Sequence, residues 1–233
     1  MSSTVDREDA EPRGFFFMPK VAILIDGGFF LKRYPWCYGK KRPAAKVAKD
    51  MHEMALKHVD KKRDETLYRV LFYDCAPLMK KVHLPVSLKS IDFAKTPEAT
   101  FRLEFHECLK NLRKVALRLG HLSDGDGWIL RPRVTKELLN GKQSIEDLSD
   151  SDLNYSMRQK GVDIKIGIDI TSLALKRMVE KIVLVSGDAD FTPAAKLARR
   201  EGIDFVLDPM WGQIQSGLNE HIDGLTSKCP KPK

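Results

Sequence analysis

Two short apolar runs constrain this chain more than any other feature: VAILI at residues 21–25 and KIVLV at residues 181–185. Neither alternates apolar with polar residues, as a strand buried on one face would. Continuous runs of this kind fit strands buried on both faces, the situation of a parallel sheet covered by helices. Each run ends on acid. Asp26-Gly27-Gly28 follows the first, and Ser186-Gly187-Asp188-Ala189-Asp190 follows the second.

The rest of the chain supplies the covering helices. Residues 43–58 have helical spacing, with Val47, Met51, Met54 and, just past the end, Val59 on roughly one face. Residues 66–73 read as a second strand, closed by Asp74-Cys75-Ala76-Pro77. Residues 97–119 read as one long helix, with Phe101, Phe105, Leu109, Leu112 and Ala116 at helical spacing, and 128–131 as a short strand after the turn Asp124-Gly125-Asp126-Gly127. Helices are expected at 164–178, 193–201 and 213–222, and a last strand at 203–207. Strands alternating with helices make an α/β protein with a mostly parallel central sheet. Residues 1–17 read as a disordered leader, 18–225 as the domain, 134–159 as an insertion or loop within it, and 226–233 as a flexible tail.

The acids fall where α/β sheets bind ligands, at the carboxyl ends of strands near a reversal of strand order. If the strands bearing Asp26 and Asp188 are neighbours, their carboxylates converge. Asp163 opens a helix in the string KGVDIKIGID and can project into the same crevice. Asp169, six residues on, points about 120° away from it at about 100° per residue and ranks below the others as a ligand. Clustered carboxylates repel one another, and a hard divalent ion such as Mg²⁺ or Mn²⁺ removes that repulsion. Each acid also has a local reading: a strand-ending turn for Asp26, a helix cap for Asp163, and caps of the following helix for Asp188 and Asp190.

Bulk properties set limits. The chain has 233 residues, 42% apolar, with a formal net charge of +8. That is enough for one sizeable core, and the basic excess favours polyanionic partners, nucleic acid above all. The apolar runs fall far short of a membrane span. Four dispersed cysteines without a C-x-x-C pair speak against a zinc ribbon and fit ordinary thiols in a reducing cytoplasm.

The strings VAILIDGGFF, VLFYDCAP, KGVDIKIGIDITSLAL and IVLVSGDADFTPAAKLARREGI resemble the NYN domain family, in particular its LabA-like branch, within the PIN-like nuclease superfamily. The resemblance runs from about residue 18 to 225. It implies a Rossmann-like (PIN-like) three-layer sandwich and a metal-dependent ribonuclease-type site. By position it assigns Asp26, Asp163, Asp188 and Asp190 to catalysis and metal binding, with Asp169 as an additional helix acid. Ser186 and Thr192 flank the last pair and would bind metal-held water or phosphate. One departure stands out: many relatives carry Asn three positions after the first acid, where this chain has Phe29.

Cations and rings interleave in the segment containing Arg33, Trp36, Lys40, Lys41 and Arg42, the combination that single-strand binders use. Its position after the first strand places it near the acidic crevice, and a solvated loop with part-buried rings is the alternative. Lys160 is set to offset phosphate charge beside Asp163. The function expected is metal-dependent hydrolysis of phosphodiester bonds, in RNA more than in DNA. The alternative is an RNA-binding or regulatory module without turnover. A homo-oligomer stays open. An aspartyl-phosphate phosphatase is disfavoured, because Gly28 stands where a second acid is required.

Overall fold

The structure, a computed structural model, describes residues 18–40, 42–214 and 216–232. The expected leader at 1–17 therefore lies outside the described residues. The main sheet has seven strands: β1 (Lys20–Asp26), β2 (Thr66–Cys75), β5 (Val115–Leu130), β6 (Leu153–Lys160), β7 (Lys181–Val185), β8 (Asp204–Asp208) and β9 (Gly224–Leu225). Their order across the sheet is β6-β5-β2-β1-β7-β8-β9. All pairings are parallel except β5 with β6. A separate hairpin joins β3 (Lys81–His83) to β4 (Ser90–Asp92).

Residues of β1 alternate between two cores. Val21, Ile23 and Ile25 face α1 (Gly27–Tyr38), α2 (Ala44–Leu56) and α3 (Pro97–Lys110). Ala22 and Leu24 face α5 (Val162–Leu175) and α6 (Thr192–Arg200). Burial on both faces explains the unbroken apolar run. Two shorter helices, α4 (Pro132–Leu139) and α7 (Ser216–Asn219), complete the helical set. No helix among the described residues is long and apolar enough to cross a membrane.

Four expectations need correction. The helix expected over 97–119 stops at Lys110, and β5 begins at Val115. Leu112 continues the helical spacing by coincidence. From residue 115 the period changes to two, with Val115 and Leu117 on one core and Ala116 on the other. The short strand at 128–131 is the end of this long β5, and the turn expected at Asp124–Gly127 is a register break inside it. The stretch 134–159, expected as an insertion or loop, holds most of α4 and of β6, an edge strand. Its polarity follows from that edge position. Finally, the tail expected to be flexible from 226 is anchored: Thr226 N–H donates to the Leu207 carbonyl, Lys228 N–H to buried Asp208, and the Trp211 indole to the Cys229 carbonyl. Cys229 is buried with its sulfur 3.1 Å from that of Cys37, both as free thiols.

The topology creates one crevice. From β1 the chain builds outward through β2, β5 and β6, then returns to lay β7 and β8 on the opposite flank of β1. Strand order reverses between β1 and β7, and the carboxyl ends of those strands form a switch point of the kind that binds ligands.

Candidate active site

Asp26 is the last residue of β1 and the N-cap of α1. Its Oδ1 accepts a 3.0 Å hydrogen bond from Phe29 N–H. The local reading of this acid is a strand-ending turn; the structure makes it the N-cap of α1, which leaves Oδ2 facing the Ser186 hydroxyl at 3.5 Å. Gly27 is required here. A Cβ on it would lie 2.5 Å from the Tyr73 carbonyl oxygen and 2.6 Å from the Phe72 ring, so only glycine lets α1 start this close to β2.

The loop after β7 brings the second pair. Asp188 caps a short 3-10 turn (Ala189–Phe191) by accepting from Asp190 N–H at 3.0 Å. Ser186 is fully buried, and its oxygen accepts from Asp188 N–H at 3.2 Å while its hydroxyl faces Asp26. Ser186 therefore links the two acid-bearing loops. Thr192 turns its hydroxyl onto the Ala189 carbonyl at 2.7 Å, which is a capping contact. Phe29 lies over Gly187: a Cβ there would meet the Phe29 ring at 2.9 Å.

Asp163 reaches the same edge by a different route. β6 runs antiparallel to β5 and ends at Lys160, opposite His121. That is one residue past the pairing of Gly120 with Cys75 at the carboxyl end of β2. Gly161, at φ 81°, turns the chain into α5, and Asp163 sits in its first turn. The edge strand that the sequence hid is what delivers this acid to the crevice. Asp163 makes no side-chain hydrogen bond among the described residues and stays exposed, as do Asp188 and Asp190. Asp169 has a different environment. Arg118 grips both its oxygens, at 2.8 and 3.1 Å, and the Tyr73 hydroxyl donates to it at 2.8 Å.

Electrostatics ties four acids together. Burial pushes the Asp26 carboxyl above its ordinary value, against the Phe29 N–H, and the charges of Asp163 and Asp188 push it further. Burial also raises Asp163, followed by repulsion from Asp188 and then Asp190. The donors are all oxygen, the set a hard divalent ion prefers. Among the described residues no three acidic, imidazole or thiol side chains already stand close enough to share an ion. The acids therefore stand around the crevice as an open set, with Asp26 and Asp163 raised by burial and by their acidic neighbours.

The expected substrate contacts are only partly near this crevice. The part of this segment up to Tyr38, expected near the crevice because it follows β1, lies in helix α1, and a rise of about 1.5 Å per residue carries Trp36 roughly 15 Å from Asp26. Trp36 is 69% exposed and, with Lys40, lines a groove against Pro230 and Lys231. Arg33 turns inward and donates to the Met210 carbonyl at 2.9 and 3.3 Å. Lys41 lies outside the described residues. Arg42 holds the Tyr38 carbonyl at 2.9 Å and lines a second groove, shared with Lys32 and Arg102, that runs from Gly28 beside the acids. Lys160 is exposed at the end of β6, three residues before Asp163.

Sequence reasoning missed the other wall of the site. Buried Asp74, at the end of β2, accepts from Arg102 at 2.5 Å and pairs with His106 at 2.8 Å, both on α3. Gln159 of β6 lies beside Gly28, its Oε1 3.6 Å from where a Cβ there would stand. The acid closing VLFYDC was visible in the sequence. Its partners were not, because they lie 28 and 32 residues away on a helix.

The family model for the NYN domain matches residues 133–211, a span holding β6, α5, β7 and the loop with Asp188 and Asp190. Over that span the chain is similar to the NYN domain. NYN domains belong to the PIN-like nuclease superfamily, and the matched span lies in a mostly parallel sheet with helices on both faces. Asp26 falls outside the matched span, and the pairing of β1 with β7 sets it beside the loop of Asp188 and Asp190 within that span. No curated protein matches the chain. A crystal structure of a protein of unknown function from Vibrio parahaemolyticus RIMD 2210633 aligns with 90% of this chain and 93% of its own, at 15% identity and a TM-score of 0.47.

Proposed function

We propose that this protein is a Mg²⁺- or Mn²⁺-dependent nuclease acting on RNA. The observation that carries the proposal is the placement of four acids at the switch point of the sheet, where Asp26 and Asp163 are each raised first by burial and then by neighbouring acid charge, from Asp163 and Asp188 on the former and from Asp188 and Asp190 on the latter. Like charges held together at a cost to their own ionisation are a recurrent mark of functional sites. Asp26, Asp163, Asp188 and Asp190 would hold the ion. Asp169 is left out because a guanidinium already occupies both its oxygens. A bound divalent ion supplies an activated water and charge stabilisation at phosphorus. The chain's own residues do the rest. Ser186 fixes the Asp26 and Asp188 loops relative to each other, Lys160 offsets phosphate charge beside Asp163, and Lys32 and Arg42 line a path for the strand leading from Gly28.

A second reading has one observation in its favour. Phe29 lays an apolar ring against Gly187, between the two acid loops, where relatives present an amide. A module that binds RNA without cutting it fits that exchange. One assay separates the readings. Labelled single-stranded RNA, tRNA and DNA are incubated with Mn²⁺ or with EDTA, using wild type and Asp188→Asn. The nuclease reading expects Mn²⁺-dependent products with 5′-phosphates from wild-type protein and none from the variant. RNA retained but uncut at every pH supports the binding module, and equal cutting by Asp188→Asn sinks the site.

A further inference from the structure

A cavity of about 190 Å³ opens between the start of α3 and the β5–β6 edge, beside the acid crevice. Its wall includes Cys75, Phe93, Ala99, Arg102, Met157 and Gln159. Two of these connect it to the acids. Gln159 lies against Gly28, and the Cβ position of Gly28 is 3.4 Å from Asp26 Oδ1. Arg102 lines both this cavity and the groove that starts at Gly28.

The chemistry of the wall is that of a ring-binding pocket. Phe93 supplies an aromatic side chain, and Met157 and Ala99 supply apolar surface. Arg102 and Gln159 supply polar edges whose hydrogen-bonding capacity is mostly uncommitted. Asp74 takes one of the five Arg102 donors, and the Gln159 amide has no partner among the described residues. Asp74 cannot move to meet a ligand, since it is buried and also holds His106 and the Cys75 N–H. It therefore fixes the guanidinium in the cavity wall. Small-molecule sites combine such an apolar lining with a few placed polar groups. The volume is below the usual range for drug-sized ligands, so it suits one planar ring rather than a length of chain.

We infer that this cavity is a nucleobase subsite, which takes one unstacked base of a single-stranded nucleic acid whose backbone passes the acid crevice. The inference deepens the nuclease reading and rests on it for the position of the strand. Aromatic stacking with polar contacts to base edges is how proteins read unpaired bases. An occupied subsite next to the crevice fixes one nucleotide relative to the scissile bond, so cutting acquires a base preference at a set distance.

The test uses the ¹⁵N-labelled full chain in EDTA, titrated with the four nucleoside 5′-monophosphates and with ribose 5-phosphate, while amide shifts are followed. At least one nucleotide is expected to shift amides at 75–78, 93–102 and 157–159, and ribose 5-phosphate is not. Ala99→Leu fills the cavity and should abolish the shifts. Gln159 is exposed, so Gln159→Ala keeps the fold and should weaken binding about fivefold, the loss of roughly one hydrogen bond. The inference is overturned if no nucleotide shifts these amides, if ribose 5-phosphate shifts them equally, or if Ala99→Leu with an unchanged melting temperature binds as well as wild type. Asp188→Asn separates the two proposals: base binding that persists while the variant cuts like wild type rejects the nuclease site and keeps the subsite.

Discussion

At the residue scale, two positions at the head of α1 carry opposite kinds of constraint. Gly27 is a packing constraint. A methyl group there meets the Tyr73 carbonyl and the Phe72 ring inside contact distance. Gly27→Ala should cost about 1–3 kcal/mol, the usual cost of overpacking, read as a lower urea midpoint with an unchanged slope. Asp26 is a charge constraint. Its carboxyl titrates above the ordinary aspartate value of 3.8, because burial and neighbouring acids penalise the anion. Between 3.8 and the raised value, the native chain binds more protons than the unfolded one. Stability therefore falls as pH rises through that window, and the full penalty remains above it. Asp26→Asn keeps a capping side chain and removes the charge. Without metal it should melt above wild type at pH 7, and the difference should vanish in calorimetry at about pH 3, where both side chains are neutral.

At the element scale, the edge of the sheet beyond β2 depends on contacts the chain makes at long range. Asp74 joins the end of β2 to α3 through Arg102 and His106. Asp74→Ala strands a guanidinium at this buried contact and should cost about 3–5 kcal/mol in a denaturant titration, while substitutions at exposed Glu98 should cost little. This region also shows where the sequence stops being readable. β1, β2, β7 and β8 were legible, because strands buried on both faces are apolar throughout. Asp26, Asp188 and Asp190 followed from them as strand-end acids. The border between α3 and β5 was not legible, because Leu112 prolongs the helical spacing past the true end at Lys110. β6 was invisible for the opposite reason: LNYSMRQK has one covered face and a free edge, so almost no apolar signal remains. With β6 unread, the route of Asp163 to the crevice and the closeness of Gln159 could not be seen. Helix α1 was missed because Pro35 and a cluster of cations resemble a loop, and that error placed Trp36 too near the acids.

At the scale of the whole molecule, a chain of net charge +8 carries a crevice of acids in which Asp26 and Asp163 are raised by burial and by their acidic neighbours. Those two facts fit a polyanion drawn in by the surface and positioned at a metal. Binding of single-stranded RNA should weaken as salt rises. Lys32→Ala and Arg42→Ala, in the groove leading from Gly28, should each reduce the slope of log K against log salt by about 0.7, the value for one lost phosphate contact on a single strand. The central proposal is narrower than cleavage: that Asp26, Asp163, Asp188 and Asp190 would hold one divalent ion between them. It is tested most directly by titrating Mn²⁺ into wild type, Asp163→Asn and Asp188→Asn at pH 7 and following free Mn²⁺ by electron paramagnetic resonance. Saturable binding by wild type, displaced by Mg²⁺ and weakened at least tenfold in both variants, is the result expected. No binding by wild type at millimolar Mn²⁺, or binding that both variants leave unchanged, would contradict the account.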